Sequence, residues 1–297
     1  MLQLYAGTAS QALGQEIAEY LGQSLSVMQM RRFSDGELYP QFEGLVKGKH
    51  VCLVQSTYPP ADHLMELLLT IDAARQAGAS YMTAIIPYLG YMRQDCAHHV
   101  GGPIGAQLQA RLLAAAGVDR LITCDLHAPH IVDFFDFPVH HLAGVPVFMP
   151  VIQSLQLPQL TFVAPDEGSL ARTKQYAAHL GAPLVRCKKL KAAPNQVTTI
   201  QVQGEVKDAD VVLIDDIVDT GRTICLAAHR LKAQGARTVR AFCTHAVLSG
   251  DAHARLAEAG LEALVVTDTI PLQKPVPYIQ VYSLAPLIAR TLRQIIG

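Results

Sequence analysis

Short apolar runs of β-forming residues alternate with helical patterns along almost the whole chain, and this alternation limits the possible folds more than any other feature. Strand-like runs are Leu2–Tyr5, His50–Gln55, Tyr81–Pro87, Arg120–Cys124, Thr161–Ala164, Pro183–Arg186, Val211–Ile214, Thr238–Cys243 and Ala263–Val266. Many are apolar at consecutive positions, as expected when both faces of a parallel sheet are covered. Between them a 3.6-residue period marks helices at Ala61–Gln76, Ile104–Ala116, Leu170–His179, Thr223–Gln234 and Leu284–Ile295. Such alternation builds βαβ units, so the fold class is α/β, with mostly parallel sheets flanked by helices.

A length of 297 residues suggests two domains. A faint internal echo agrees. Ala73-Ala74-Arg75-Gln76-Ala77-Gly78-Ala79 closes a helix in the first half, and Arg230-Leu231-Lys232-Ala233-Gln234-Gly235-Ala236 closes one in the second. Each helix follows a similar strand, Val51–Val54 or Val211–Ile214, although helix-Gly-Ala-strand is also a common junction. The boundary is expected in the Pro-containing stretch from Gly144 to Pro158. That gives domains 1–144 and 145–283, with the final helix, 284–297, expected to pack on the first.

Composition narrows the functional classes. With 24 Lys plus Arg against 25 Asp plus Glu the net charge is −1, which argues against a nucleic-acid or anionic-membrane surface built on bulk charge. Hydrophobic residues make up 50%, enough for a substantial core, yet no run approaches the ~20 apolar residues of a membrane span. The first thirty residues lack the basic start and apolar block of an export signal. The six cysteines are scattered, and Cys52, Cys124 and Cys243 sit inside apolar runs. A reducing, cytoplasmic setting is expected.

The most informative segment is Val211-Val212-Leu213-Ile214-Asp215-Asp216-Ile217-Val218-Asp219-Thr220-Gly221-Arg222-Thr223, which leads straight into a helix. A buried strand ends in two carboxylates, and a short loop then delivers free N–H groups, hydroxyls and a helix dipole. Such a terminus favours an anion by about 0.3–2 kcal/mol. Asp215 and Asp216 point to opposite faces if the strand continues, so at least one can accept sugar hydroxyls or hold Mg²⁺ through water. Asp and Thr are also frequent as simple helix caps. The full pattern nonetheless points to a phosphorylated sugar.

This segment closely resembles the phosphoribosyl-diphosphate loop of the phosphoribosyltransferase fold. Further segments resemble the ribose-phosphate diphosphokinase family: Arg32–Glu37, Gln55-Ser56-Thr57, Ile86–Asp95, Asp125–His130, Ala164–Gly168 and Thr244–Gly250. They occur in family order over nearly the whole chain. The resemblance implies two tandem phosphoribosyltransferase-like domains. It also implies Mg²⁺-dependent transfer of the diphosphoryl group of ATP to the anomeric hydroxyl of ribose 5-phosphate, giving PRPP and AMP.

Site residues follow from the same resemblance. It implies that Phe33, Asp35 and Glu37 contact adenine across a subunit interface, so that the assembly is at least a dimer and can be a hexamer. Read without the family, they form a Ser-Asp-Gly turn after a strand. Arg93, Gln94 and Asp95 correspond to ATP contacts, and a guanidinium suits bidentate phosphate binding. His127 corresponds to the family histidine near metal and phosphates, and Asp166 to an acid that helps hold Mg²⁺. The ribose 5-phosphate contacts are Asp215, Asp216, Asp219, Thr220, Gly221, Arg222 and Thr223. His127 and His130 are spaced like zinc ligands, but no second pair has finger-like spacing, and Mg²⁺ prefers oxygen.

Arg186–Val197 resembles the family's catalytic loop. Aligning Asn195 and Val197 places Lys189 on the catalytic lysine and Lys191 on a position where the family carries arginine. Diphosphoryl transfer asks for alignment and positive charge around the transferred group, which lysines supply as point charges. Lys191 lacks the planar fork of arginine, which implies slower chemistry. Arg222 stands where many family members have a small residue. The stretch Cys96–Ile104 lacks the basic, Arg/Ser-rich character of phosphate-activated, ADP-inhibited members, which speaks against that control. Two alternatives stay open on these residues: a PRPP-consuming phosphoribosyltransferase, and a catalytically weak regulatory paralogue that binds nucleotide and partners.

Overall fold

A computed structural model describes residues 2–97, 99–190 and 199–296. The chain divides into two compact units, Met1–Ala143 with Thr269–Pro271 and Ser283–Gly297, and Gly144–Asp268 with Leu272–Tyr282. The short return of Thr269–Pro271 to the first unit has no counterpart in the sequence pattern.

In the first unit, β1 (Leu2–Ala6) leads to α1 (Gln11–Leu21) and to a hairpin of β2 (Met28–Arg32) and β3 (Leu38–Phe42). There follow β4 (His50–Val54), α2 (Asp62–Gln76), β5 (Tyr81–Ile86), α3 (Gly105–Ala116), β6 (Arg120–Cys124) and β7 (Val139–Leu142). The five-stranded sheet is parallel throughout, in the order β1-β4-β5-β6-β7. Val51, Leu53, Met82, Ala84 and Leu121 on one face pack with Leu67, Ile71 and Ala74 of α2 and Ala110 and Leu113 of α3.

The second unit contains α4 (Val145–Ser154), β8 (Leu160–Ala164), α5 (Leu170–Leu180), β9 (Leu184–Leu190), β10 (Thr199–Gln203) and β11 (Asp210–Val218). It continues through α6 (Arg222–Ala233), β12 (Thr238–Ala246), α7 (Ala252–Glu258), β13 (Ala263–Thr267) and β14 (Ile279–Tyr282). Its order is β10-β9-β8-β11-β12-β13-β14, parallel except for the β9/β10 hairpin. The final helix α8 (Ala285–Ile296) belongs to the first unit, where Arg293 donates to the Tyr20 carbonyl of α1.

The two sheets share one plan, with β1-β4-β5-β6-β7 matching β8-β11-β12-β13-β14 in order and direction. The sequence echo falls at the ends of α2 and α6, the helices after the second-placed strands β4 and β11. The sheets differ at one edge: β9/β10 extends the second sheet, whereas β2/β3 stands as a separate ribbon.

The boundary stretch is itself a helix, α4, despite Pro146 and Pro150. Pro146 lies in the first turn, where a missing N–H costs little. Pro150 is interior, at a cost of about 3 kcal/mol. Four buried side chains, Phe148, Met149, Val151 and Ile152, outweigh that, since each contributes about 1.5–3 kcal/mol. Cys52, Cys124, Cys187, Cys225 and Cys243 are buried and none of the six cysteines forms a disulfide. Among the described residues no helix is long and apolar enough to cross a membrane.

Candidate active site

The second unit builds its site at the end of β11. Val211 and Leu213 pack with Ile224, Ala227 and Leu231 of α6, while Val212 and Ile214 pack with Phe148, Phe162 and Tyr176 on the opposite face. A strand buried on both faces presents its chemistry only where it emerges, and that end holds Asp215 and Asp216. The strand runs on to Val218, so the two carboxylates alternate in direction. Asp216 is buried, and its carboxylate lies 3.6 Å from Arg172 of α5. Its amide donates to Asp215 Oδ1 at 3.0 Å.

Burial first, then the neighbouring carboxylates of Asp216 and Asp166, hold the Asp215 carboxyl well above the usual range, against the pull of Arg172. Asp166 follows β8 and closes a tight turn: its Oδ1 accepts the Ser169 amide at 3.2 Å, and Ser169 Oγ donates to its carbonyl at 3.0 Å. Its other oxygen accepts Lys189 Nζ at 2.8 Å. Acids that repel one another in this way suit a cation. Among the described residues, however, no group of three His, Cys, Asp or Glu side chains is arranged to hold a metal alone. Carboxylate oxygens such as those of Asp166 and Asp215 are of the hard donor type that Mg²⁺ takes, usually one or two together with substrate phosphates and water.

Beyond Val218 the loop turns at Gly221, whose φ of 74° is left-handed, and α6 begins at Arg222 with no side chain capping it. Thr220 and Arg222 are exposed and Thr223 is half-buried at the helix start. Asp219 accepts a hydrogen bond from Ser249 Oγ, and the Thr220 carbonyl accepts Arg255 at 3.0 Å. Open amides, hydroxyls and one guanidinium make an anion cradle.

The remaining expected site residues, Lys191 apart, lie in the first unit. Phe33 to Glu37 form the β2/β3 turn, closed by Phe33 N to Glu37 O at 2.8 Å and by Glu37 N to Asp35 Oδ1 at 3.0 Å. Phe33 is exposed and its ring lies 5.7 Å from that of Tyr39. Gln94 seats the start of α3, its carbonyl accepting the Ala106 amide at 3.1 Å, while Arg93 is exposed. Asp95 Oδ2 lies 3.4 Å from His130 Nε2. His127 is exposed on the turn after β6, next to buried Asp125, whose φ is 44°. Lys191 lies outside the described residues. Sequence reasoning missed Arg172 and Arg255, whose positions carry no local signature, and gave Ser249 no role although it lies within the Thr244–Gly250 segment.

Comparison with known proteins decides the family. Residues 2–117 match the N-terminal domain of ribose phosphate pyrophosphokinase, and residues 148–259 match the phosphoribosyl transferase domain. The ribose-phosphate pyrophosphokinase of Campylobacter jejuni is 44% identical, covering 98% of this chain and 95% of its own. The chain belongs to the ribose-phosphate pyrophosphokinase family. The Porphyromonas gingivalis ribose-phosphate pyrophosphokinase is also 44% identical, over 98% of this chain and 94% of its own. The crystal structure of phosphoribosylpyrophosphate synthetase from Mycobacterium smegmatis superposes with a TM-score of 0.93 at 36% identity, covering 99% of this chain and 98% of that one. Membership of the ribose-phosphate pyrophosphokinase family makes the chain an enzyme, with both units accounted for by that family.

Proposed function

We propose that the chain uses the acid-ended strand β11 and the loop after it to bind ribose 5-phosphate, and transfers the diphosphoryl group of ATP to its anomeric hydroxyl, releasing AMP. The observation that carries this reading is the passage from Asp215 and Asp216 through the loop to an uncapped helix, in a chain of this family. The amides at the start of α6, with Thr220, Arg222 and Thr223, receive the 5-phosphate. Asp215, Asp216 and Asp219 accept sugar hydroxyls and so orient the anomeric oxygen. That oxygen bonds to the β-phosphorus of ATP, the bond from the β-phosphorus to the α-phosphate oxygen breaks so that AMP leaves, and the hydroxyl proton passes to solvent water.

Lys189, paired with Asp166, supplies a positive charge for the transferred group. Lys191 shares this role on the strength of the family resemblance. Asp166 would hold Mg²⁺, which would supply positive charge beside the phosphates. In the first unit, Phe33, Asp35 and Glu37 serve adenine, Arg93, Gln94 and Asp95 serve ATP, and His127 serves the metal-bound phosphates. The exposed Phe33 and Tyr39 on the hairpin suit a contact with a second copy, so the working form is a homo-oligomer of at least two chains. Cysteines that form no disulfide suit the cytoplasm.

Incubation with Mg²⁺, ATP and ribose 5-phosphate should yield AMP and PRPP in equal amounts. Absence of AMP at every phosphate concentration would favour a regulatory paralogue, and base-dependent consumption of PRPP would favour a transferase. Solution mass tests the oligomer.

A further inference from the structure

Three successive residues of the loop, Asp219, Thr220 and Gly221, are each held by the segment that runs from the end of β12 into α7. Ser249 Oγ donates to the Asp219 carboxylate and the Ser249 amide donates to the Asp219 carbonyl at 3.1 Å. Arg255 donates to the Thr220 carbonyl at 3.0 Å while a second nitrogen of the same guanidinium reaches Asp251 at 3.2 Å. A Cβ on Gly221 would meet Leu256 Cγ at 3.2 Å and the Ala252 carbonyl at 3.6 Å, so the left-handed turn also packs flat against α7. The segment is anchored in turn: the Val247 and Leu248 amides both donate to the Val218 carbonyl, at 3.0 and 3.1 Å. Leu248 adopts a φ of 51°, which a branched side chain rarely accepts, and that turn brings Ser249 to Asp219.

We infer that Ser249 and Arg255 are positioning residues that pre-shape the ribose 5-phosphate cradle. The inference rests on the reading of residues 219–223 as that cradle. Ser249 selects the orientation in which Asp219 faces the sugar, and Arg255 fixes the peptide plane of Thr220 and so the direction of the amides beyond it. Neither touches substrate. Their contribution is the ordering that the loop does not have to undergo on binding. Arg255 also adds a positive charge, held in place by Asp251, behind a dianionic ligand.

The test compares Arg255→Met, Arg255→Lys, Ser249→Ala and Ser249→Thr with Thr223→Ala, which alters the cradle itself. Michaelis constants for both substrates, kcat and thermal midpoints are measured on the full chain. Arg255→Met is expected to raise KM for ribose 5-phosphate about 10-fold and Ser249→Ala about 5-fold, with kcat and KM for ATP within about twofold. Arg255→Lys and Ser249→Thr, which keep a donor, should recover part of the loss. If Thr223→Ala raises KM for ribose 5-phosphate while the Ser249 and Arg255 variants leave it unchanged, the positioning role is overturned and the cradle stands. The positioning role is overturned equally if those variants change only the thermal midpoint, or shift both Michaelis constants by the same factor. If Thr223→Ala itself leaves that constant unchanged, the cradle reading falls and the inference with it.

Discussion

The turn that follows β4 in the first sheet has its counterpart after β11 in the second, and the two differ in how their polar groups are placed. After β4, Gln55, Ser56 and Thr57 are buried and turned inward. Ser56 Oγ donates to the Thr269 carbonyl at 2.6 Å, the Ser56 amide donates to Ser10 Oγ at 2.9 Å, and the Gly90 amide donates to Thr57 Oγ1 at 2.8 Å. Nearby, buried Glu66 of α2 takes the Thr8 amide at 2.6 Å and the Thr8 hydroxyl as well. A Cβ on Gly7 would fall 2.3 Å from Gln55 Oε1, so a larger residue there would have to displace the Gln55 side chain. After β11 the equivalent turn carries carboxylates that repel one another and a helix start with no cap. One scaffold thus gives a joint in which inward-turned polar groups hold the chain, and a turn in which neighbouring acids repel one another beside an exposed helix start.

The contrast is sharpest at Lys189, which should break function without touching the fold. Lys189→Ala is expected to lower turnover about 100-fold or more while ATP binding, measured calorimetrically, is retained. Near-normal turnover would remove Lys189 from the chemistry. Glu66→Ala in the closed joint should do the reverse, costing about 1–3 kcal/mol in urea unfolding because the Thr8 amide loses its acceptor, with KM for ribose 5-phosphate unchanged. A changed constant would show that the joint is not purely structural. Asp219→Ala should raise that KM about tenfold, with stability little altered.

The smallest effect contrasts the two ends of β11 itself. At its start, the Arg237 guanidinium, helped by Thr238 and the Gln159 amide, holds the buried Asp210 carboxyl down to about 2 from 3.8. Its folded pKa lies below the unfolded one. The resulting stability is therefore complete above the unfolded value, near 4, and is lost as pH falls through about 2. Asp210→Asn should flatten the fall in stability between those limits, as read by denaturant titration. At the far end, Asp215 is shifted in the opposite direction by burial and by Asp216 and Asp166. On one strand the same residue type is shifted in opposite directions, downward where a guanidinium hydrogen-bonds it and upward where burial and neighbouring acids surround it.

Much of this is legible in the residues alone. The apolar runs of β4, β5, β6, β11 and β12 are buried on both faces, so hydrophobicity alone marks them. The β11 turn is readable because acids, glycine and threonine follow such a run at close spacing. Of the β2/β3 hairpin only a Ser-Asp-Gly turn after a strand is readable; the pairing escapes because both strands are half-exposed and Pro40 sits opposite Met30. The helix α4 is obscured by two prolines that burial overrides. Arg172 and Arg255 carry no local signal, because each reaches the site from a different element, and Ser249, although inside the Thr244–Gly250 segment, meets Asp219 only through the fold.

By itself the sequence determined the α/β class, the two halves, the family resemblance and the central loop, since these depend on local periodicity and on residue types adjacent in the chain. Tertiary structure alone decided which polar groups find partners. Asp166 meets Lys189 across neighbouring strands, Asp216 meets Arg172 from a helix, and Asp219 meets Ser249 across the β11–β12 pair. Hydrogen bonding and charge act over a few ångströms of space whatever the distance along the chain, so only folding could separate the closed joint from the open cradle.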